Sequence, residues 1–151
     1  MSNPSVNYEV LTPVHFIGRS VEVYPEKTAV IHGDRRFTYR QFHERVKRLA
    51  TALKRIGIGR GDKVAFICPN IPPMLEAHFA VPMIGAALVT VNIRLSPQEV
   101  ADILHHSEAK ACFVDNEFAS LVLPNLAELP GIKTFVNICD IRSDRPLDGT
   151  D

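Results

Sequence analysis

The sequence predicts an α/β fold in which a parallel β-sheet carries helices on both faces, a three-layer arrangement, with a small β-hairpin near the N-terminus. Two observations lead to this prediction. Four short segments are apolar at nearly every position, as strands covered on both faces of a parallel sheet are. These segments are KVAFIC, AALVTV, AKACFVD and KTFVNIC. Helical patterns alternate with them, as in right-handed βαβ units.

The N-terminal part of the chain combines a helix, the hairpin and a longer helix. Thr12 and Pro13 supply a capping hydroxyl and a first-turn proline for a helix through HFIGRSVEVY, which ends before Pro25. The segment TAVIHGDRRFTY then indicates two short strands around HGD. Thr38 caps the long helix that follows, and Gln41 completes a capping box.

An apolar stripe predicts which face of the long helix is buried. Its members recur at spacings of three and four residues, as on one side of an amphipathic helix. They are Tyr39, Phe42, Val46, Leu49, Leu53 and Ile56. The arginines and lysines of the other side favour a solvated surface over a binding patch.

Helices are also predicted between the strands of the parallel sheet. PPMLEAHFAVPMIG begins with two prolines and is bent or ended near Pro82. Residues 96–99 supply an N-cap serine, a first-turn proline and a capping-box glutamate for the next helix. EFASLVLPNLAEL is predicted to be helical and split by Pro124. We expect one subdomain over residues 12–140, a disordered or extended segment over 1–11 and a truncated loop over 141–151.

Charge and composition exclude several classes of function. Lys+Arg and Asp+Glu number 17 each, so the chain lacks the basic balance of a nucleic-acid binder. Neither a signal peptide nor an apolar run of about 20 residues is visible, so we expect no transmembrane segment and a cytoplasmic location. The three cysteines, Cys68, Cys112 and Cys139, lie in apolar runs without CxxC spacing. We interpret them as reduced, buried thiols.

The glycine-rich segment RIGIGRGDK, residues 55–63, raises the question of a phosphate-binding loop. Such a loop follows a strand and opens a helix, so that free N–H groups face the anion. This segment instead leaves a helix and enters a strand. Gly57 stands where a left-handed residue ends a helix, and a helix C-terminus has the wrong partial charge for phosphate. The sequence therefore predicts a turn.

No catalytic, cofactor-binding or metal-binding residue is predicted. The six histidines are scattered, and the adjacent pair His105 and His106 is interpreted as cations at a helix end. Glu76 and His78 share a helix but point apart. Neither a Ser/His/Asp order nor a GxSxG motif occurs.

Two long strings carry a resemblance to a known family. They are YPEKTAVIHGDRRFTYRQFHERVKRLATALKRIGIGRGDKVAFICPN and MLEAHFAVPMIGAALVTVNIRLSPQEVADILHHSEAKACFVD. In this order they resemble the N-terminal region of adenylate-forming acyl-CoA synthetases, the AMP-binding enzyme family. The segments HGDRRFTY, PNIPPMLEAHF and VTVNIRL most resemble the corresponding segments of fatty-acid and short- or medium-chain acyl-CoA ligases. The resemblance covers roughly residues 12–123.

The resemblance implies a two-step reaction for a full-length parent enzyme. A carboxylic acid and ATP give an acyl-adenylate and pyrophosphate, and coenzyme A then takes the acyl group, with Mg²⁺ neutralising the phosphates. The family's phosphate loop and catalytic lysine would lie beyond Asp151. No family site residue maps onto this sequence, so we expect a scaffold that binds no cofactor and is inactive alone.

Two interpretations of function remain open. The chain is either an N-terminal piece of an acyl-CoA ligase or a free-standing noncatalytic module that interacts with or regulates a partner. In the resembled family this subdomain packs against the remainder of the synthetase. We therefore expect an apolar surface that binds that remainder or a second copy of the chain.

Overall fold

The computed structural model describes residues 11–139. The predictions for residues 1–10 and 140–151 lie outside the described residues. The helices are α1 (Pro13–Val23), α2 (Tyr39–Arg55), α3 (Pro72–Met83) and α4 (Pro97–Ser107). The strands are β1 (Thr28–His32), β2 (Arg35–Thr38), β3 (Lys63–Ile67), β4 (Ala87–Thr90), β5 (Ala111–Asp115) and β6 (Thr134–Ile138). Two 3₁₀ helices, Asn116–Leu121 and Leu123–Glu128, lie between β5 and β6.

The predicted fold class is confirmed. Strands β3 to β6 form a parallel sheet in the order β4-β3-β5-β6, and β1 and β2 form a separate antiparallel hairpin. The chain passes from β3 to β4, which lies on one side of β3, and then crosses to β5, which lies on the other side of β3. Helices α3 and α4 make these two crossovers in opposite directions, so right-handed connections place them on opposite faces of the sheet.

Two hydrophobic cores lie on the two faces of this sheet. On one face, Val64 and Phe66 of β3 pack with residues of α2 and α3, including Leu53 and Val81. Phe66 and Phe113 stack there at 4.5 Å between ring centroids with an interplanar angle of 4°. The alternate residues of β3 and β5 face α4 and the 3₁₀ helices on the other side. Both faces of the central strands are thus covered.

The outer strands are less buried than their apolar sequences suggest. All five residues of β5 are buried, whereas Leu88 and Val89 of β4 are half-buried and the flanking Ala87 and Thr90 are exposed. In β6 only Ile138 is fully buried. An edge strand is paired on one side only, so a continuous apolar run does not by itself identify a central strand.

A third core attaches α1 and the hairpin to the rest of the molecule. Ile17 of α1 packs in a cluster with Phe42, Val46 and Ala80, and Phe37 of the hairpin lies against it. Arg45 Nε donates to Glu76 Oε1 at 2.5 Å, which joins α2 to α3 through a buried carboxylate. The Arg45 guanidinium also lies 4.8 Å from the centre of the Phe37 ring.

The two capping-box predictions, for α2 and α4, are confirmed, whereas Thr12 stands at the N-cap of α1 without a side-chain cap hydrogen bond. The segment after β5 differs in detail from its prediction. Thr38 with Gln41 and Ser96 with Glu99 form capping boxes at α2 and α4. The predicted split helix after β5 is a pair of 3₁₀ helices that meet at Val122. Pro124, close to that junction, has no backbone N–H to donate. Its presence favours short helical turns over a continuous α-helix.

The end of α2 explains the first glycine of the glycine-rich segment. Gly57 has φ of +83°, its N–H donates to the Lys54 carbonyl at 3.0 Å, and the N–H of Ile58 donates to the Leu53 carbonyl at 3.0 Å. These two bonds form a Schellman motif, and the side chains of Leu53 and Ile58 are both buried in the same core. Of the predicted stripe, only the last residue, Ile56, is exposed.

We predict that Gly57→Ala lowers the free energy of unfolding by about 1 kcal/mol, because an L-residue is strained at positive φ. Gly59→Ala is the matched control. Gly59 does not have a left-handed φ, and a Cβ added there would meet no other atom within 4 Å. Urea denaturation of the two variants measures the difference. Equal stability of both variants would contradict the assignment of Gly57 as the helix terminator.

Candidate functional site

The topology points to one edge of the parallel sheet as the place where a ligand would bind. In open α/β sheets, ligands bind outside the carboxyl ends of the strands, where adjacent strands lead to opposite faces. Here β3 continues into α3 on one face, and β5 continues into the 3₁₀ helices on the other. The polar residues at this carboxyl edge are Cys68, Asp115, Asn116, Asn137 and Cys139.

Asp115 is the buried carboxylate of this edge, with 2% of its surface exposed. Its Oδ1 accepts a hydrogen bond from the backbone N–H of Glu117 at 3.0 Å, which caps the first 3₁₀ helix. Burial, and secondarily the negative charge of Asp115, raises the pKa of Cys68 to about 12. Cys68 is therefore a protonated thiol at neutral pH and is unsuited to act as a nucleophile.

The prediction that all three cysteines are buried is wrong for Cys139. Cys68 and Cys112 are buried, and burial raises the pKa of Cys112 to about 12, but Cys139 is exposed. Cys139 follows the last residue of the outer strand β6, where the chain leaves the core. The side-chain amides of Asn116 and Asn137 donate to its sulfur at 3.5 and 3.3 Å. All three cysteines are free thiols, as predicted.

The same two asparagines carry buried hydrogen-bond acceptors. The Oδ1 atoms of Asn116 and Asn137 are buried and accept no hydrogen bond from the described part of the protein. Buried amide oxygens normally bind a donor from protein, water or ligand. The carboxyl edge between β5 and β6 is therefore suited to a hydrogen-bond donor.

A mostly apolar cavity of about 270 Å³ lies between the hairpin and the start of α3. Its walls include Val30 and Ile31 of β1 and Met74 and Leu75 of α3. His78 also lines it, but its Nδ1 lies 2.8 Å from the carbonyl oxygen of Met74 in the same helix. His32 and Asn70 are its other polar members, and no carboxylate lines it, so the cavity can hold an apolar group.

The glycine-rich segment lies at the opposite, amino edge of the sheet. Gly57 ends α2, and Gly61 directly precedes the approach to β3. The turn between them is held by Asp62, whose Oδ2 accepts from the N–H of Gly59 at 2.9 Å. Hydrogen bonds from Lys110 and then Gly59 lower the pKa of Asp62. This is a helix C-terminus closed by a carboxylate, so the segment is a turn and does not fit a phosphate.

Within residues 11–139, no three His, Cys, Asp or Glu side chains are grouped so that they could hold a metal ion. Across the same residues, no helix is long and apolar enough to cross a membrane. The histidine pair His105 and His106 lies exposed in the last turn of α4. The described residues thus form a scaffold with a polar edge.

Comparison with known proteins identifies the family. Residues 17–150 match the family described as AMP-binding enzyme. The chain belongs to the AMP-binding enzyme family. This confirms the resemblance to adenylate-forming acyl-CoA synthetases that the two long strings carried.

Curated relatives of this AMP-binding enzyme chain include several CoA ligases. A peroxisomal acetate/butyrate–CoA ligase of Arabidopsis thaliana is 50% identical over 120 residues, which are 80% of this chain and 21% of the relative. A 4-hydroxybutyrate–CoA ligase of Metallosphaera sedula is 44% identical over 116 residues, 77% of this chain and 21% of the relative. The chain therefore spans about a fifth of the length of these relatives.

Solved structures of CoA ligases share the fold. An anthranilate CoA ligase, solved in complex with anthranoyl-AMP, matches with a TM-score of 0.80 and 29% identity, over 83% of this chain and 24% of that one. A Rhodopseudomonas palustris protein described as a long-chain-fatty-acid CoA ligase matches with a TM-score of 0.81 and 32% identity, over 86% and 33%. The sheet and its helices thus have the fold of the corresponding part of these CoA ligases.

The sequence analysis named no residue of the carboxyl edge as a candidate site. The available signal was positional, because a polar residue or a cysteine ends each of three apolar strands: Cys68 after β3, Asp115 in β5 and Cys139 after β6. Strand order decides which of these ends are neighbours, and strand order is not encoded in any local pattern.

We predict that Cys139 alone reacts rapidly with a thiol reagent such as iodoacetamide at pH 8. The other two thiols are buried and have pKa values raised to about 12, so they react only when the protein opens. Mass spectrometry of the peptides measures the order of labelling. A Cys139→Ser variant should lose the fast phase, and rapid labelling of Cys68 in the folded protein would contradict the burial described here.

Proposed function

We propose that this chain forms the N-terminal scaffold of an acyl-CoA ligase, which joins a carboxylic acid to coenzyme A with conversion of ATP to AMP and pyrophosphate. The observation that supports it most is the 50% identity to the acetate/butyrate–CoA ligase, spread over 120 residues. The relatives differ in their acids, which include acetate, butyrate and 4-hydroxybutyrate. The acid is therefore left as a carboxylic acid of unspecified length.

The proposed role of the described residues is to hold the sheet and its edges in place. ATP, Mg²⁺ and coenzyme A belong to the complete ligase in this proposal, where they supply the activated phosphate and the acceptor thiol. The glycine-rich turn does not fit a nucleotide, since it combines a helix C-terminus with the Asp62 carboxylate. The cytoplasmic location also stays a prediction, because the Arabidopsis relative is named as peroxisomal.

We predict that the 151-residue chain alone catalyses no ATP–pyrophosphate exchange with acetate, butyrate or longer fatty acids. The described residues bring together no phosphate-binding loop and no acid–base array, so adenylate formation lacks its electrostatic support. Exchange above a blank without protein would contradict this proposal and would place a complete adenylation site in the chain.

We also predict that this chain can replace its homologous segment in the acetate/butyrate–CoA ligase. A chimera carrying the 120 matched residues should keep acetate-dependent acyl-CoA formation, because half of these residues are identical and solved CoA ligases have the same fold in this region. The matched control is the same chimera with Val64→Asp, which places a charge in the core of β3 and should abolish folding. A folded but inactive chimera would favour the free-standing interaction module.

The expected self-association stays a prediction, and exposed apolar side chains support it. Phe16 of α1 is 59% exposed, Tyr24, directly after α1, is 56% exposed and Ile31 of β1 is 60% exposed. Large apolar side chains exposed in this way supply the contact surface that an interaction site needs. Light scattering behind a sizing column at about 100 μM should give the mass of a dimer, whose interface we expect to bury more than roughly 1,000 Å² in total. A strict monomer would contradict the prediction.

A further inference from the structure

Three lysines form a row across the amino edge of the parallel sheet. Lys63 begins β3, Lys110 precedes β5 and Lys133 precedes β6. Val64 pairs with Ala111, and Ala111 pairs with Thr134. Each of the three lysines directly precedes one of these paired residues, so the lysines are in register with one another. The backbone confirms this, since the N–H of Lys110 donates to the Lys63 carbonyl and that of Lys133 to the Lys110 carbonyl, each at 2.9 Å.

The three side chains leave the sheet on the same face. Side chains alternate along a strand, so Lys63 and Lys110 point away from the face of their neighbours Val64 and Ala111. That places them on the side of α4 and the 3₁₀ helices. In-register backbones of neighbouring strands lie about 4.8 Å apart, so the three lysine side chains start within about 10 Å of one another.

Two carboxylates offset the lysine row incompletely. Lys110 Nζ lies 2.6 Å from Asp62 Oδ1, and the side chain of Asp62 is only 17% exposed. Lys63 Nζ lies 3.0 Å from Glu108 Oε2, but the side chain of Glu108 is 79% exposed. Lys133 has no carboxylate partner within residues 11–139. An exposed ion pair is weak and easily exchanged, so Glu108 can give way to another anion.

A cavity of about 420 Å³ lies beside the lysine row and includes all three lysines in its wall. The rest of the wall comes from the end of α4 and from the loop before β6, and both carboxylates, Asp62 and Glu108, line it as well. Its apolar members are buried core residues that border the cavity: Leu104, Ala109, Leu129 and Ile132. The size falls within the range of small-molecule sites, which combine apolar walls with a few charged groups.

The geometry points to a second ligand site at this amino edge, which binds a phosphate monoester with a small apolar body. With Glu108 turned into solvent, three ammonium groups face the single carboxylate of Asp62, and the net charge matches a phosphate dianion. The apolar wall then contacts the body of the ester. The site lies at the opposite edge of the sheet from the carboxyl-edge residues, and it goes beyond the proposed ligase scaffold.

The alternative explanation is that the lysine row only neutralises the negative charge at the C-terminal end of α4. A helix C-terminus carries partial negative charge, and Glu108 directly follows α4. Removal of a lysine would then change stability without changing any ligand affinity. The two explanations therefore differ in a binding measurement.

The test is a nuclear magnetic resonance titration of the 151-residue chain with phenyl phosphate, at pH 7.5 and at a constant ionic strength of about 0.15 M. We expect saturable shifts of the amides of Lys110, Gly131 and Lys133. Lys133→Gln should weaken binding roughly three- to tenfold while the spectrum stays that of a folded protein. Lys63→Gln is an independent second variant with the same expectation.

The control variant is Lys54→Gln, an exposed lysine in the last turn of α2, which packs on the other face of the sheet. Unchanged affinity of this variant supports the site, whereas a loss equal to that of Lys133→Gln would show nonspecific attraction and overturn it. Inorganic phosphate should bind more weakly than phenyl phosphate, and equal affinity would overturn the role of the apolar wall. Absence of saturation up to about 20 mM would overturn the site altogether.

Discussion

The complete enclosure of β3 is the constraint on which the rest of the structure depends. Val64, Ala65, Phe66 and Ile67 are each at most 1% exposed, and the strand pairs with β4 on one side and β5 on the other. A strand buried on both faces needs a helical layer on each side. Helices α2 and α3 supply one layer, and α4 with the 3₁₀ helices supplies the other.

The local features of this chain were largely predictable, because each depends on neighbours in sequence. The capping boxes of α2 and α4 and the left-handed Gly57 follow from hydrogen bonds within a few residues. The stripe of α2 predicted its buried face with one exception, Ile56, which lies beyond the last helical turn. The family could be inferred because two long strings preserve the order of these features.

The misjudged features depend on strand order, which local patterns do not contain. Cys139 appeared buried because FVNIC is apolar, but β6 is an outer strand whose end reaches the surface. The polar carboxyl edge was missed for the same reason, since Asp115 and Asn137 belong to separate strands that only the sheet brings together. The lysine row is likewise visible only once the register is known.

The pairing of β3 with β5 affects how the protein folds during its synthesis on the ribosome. Val64 pairs with Ala111, and the whole of α3, β4 and α4 separates the two residues. The conformational entropy of this long loop is lost before the contact contributes any favourable free energy. Parallel sheets therefore form slowly. During synthesis, β3 exists as an apolar segment with one edge unpaired until β5 has emerged. In this interval the unpaired apolar edge of β3 exposes the nascent chain to aggregation.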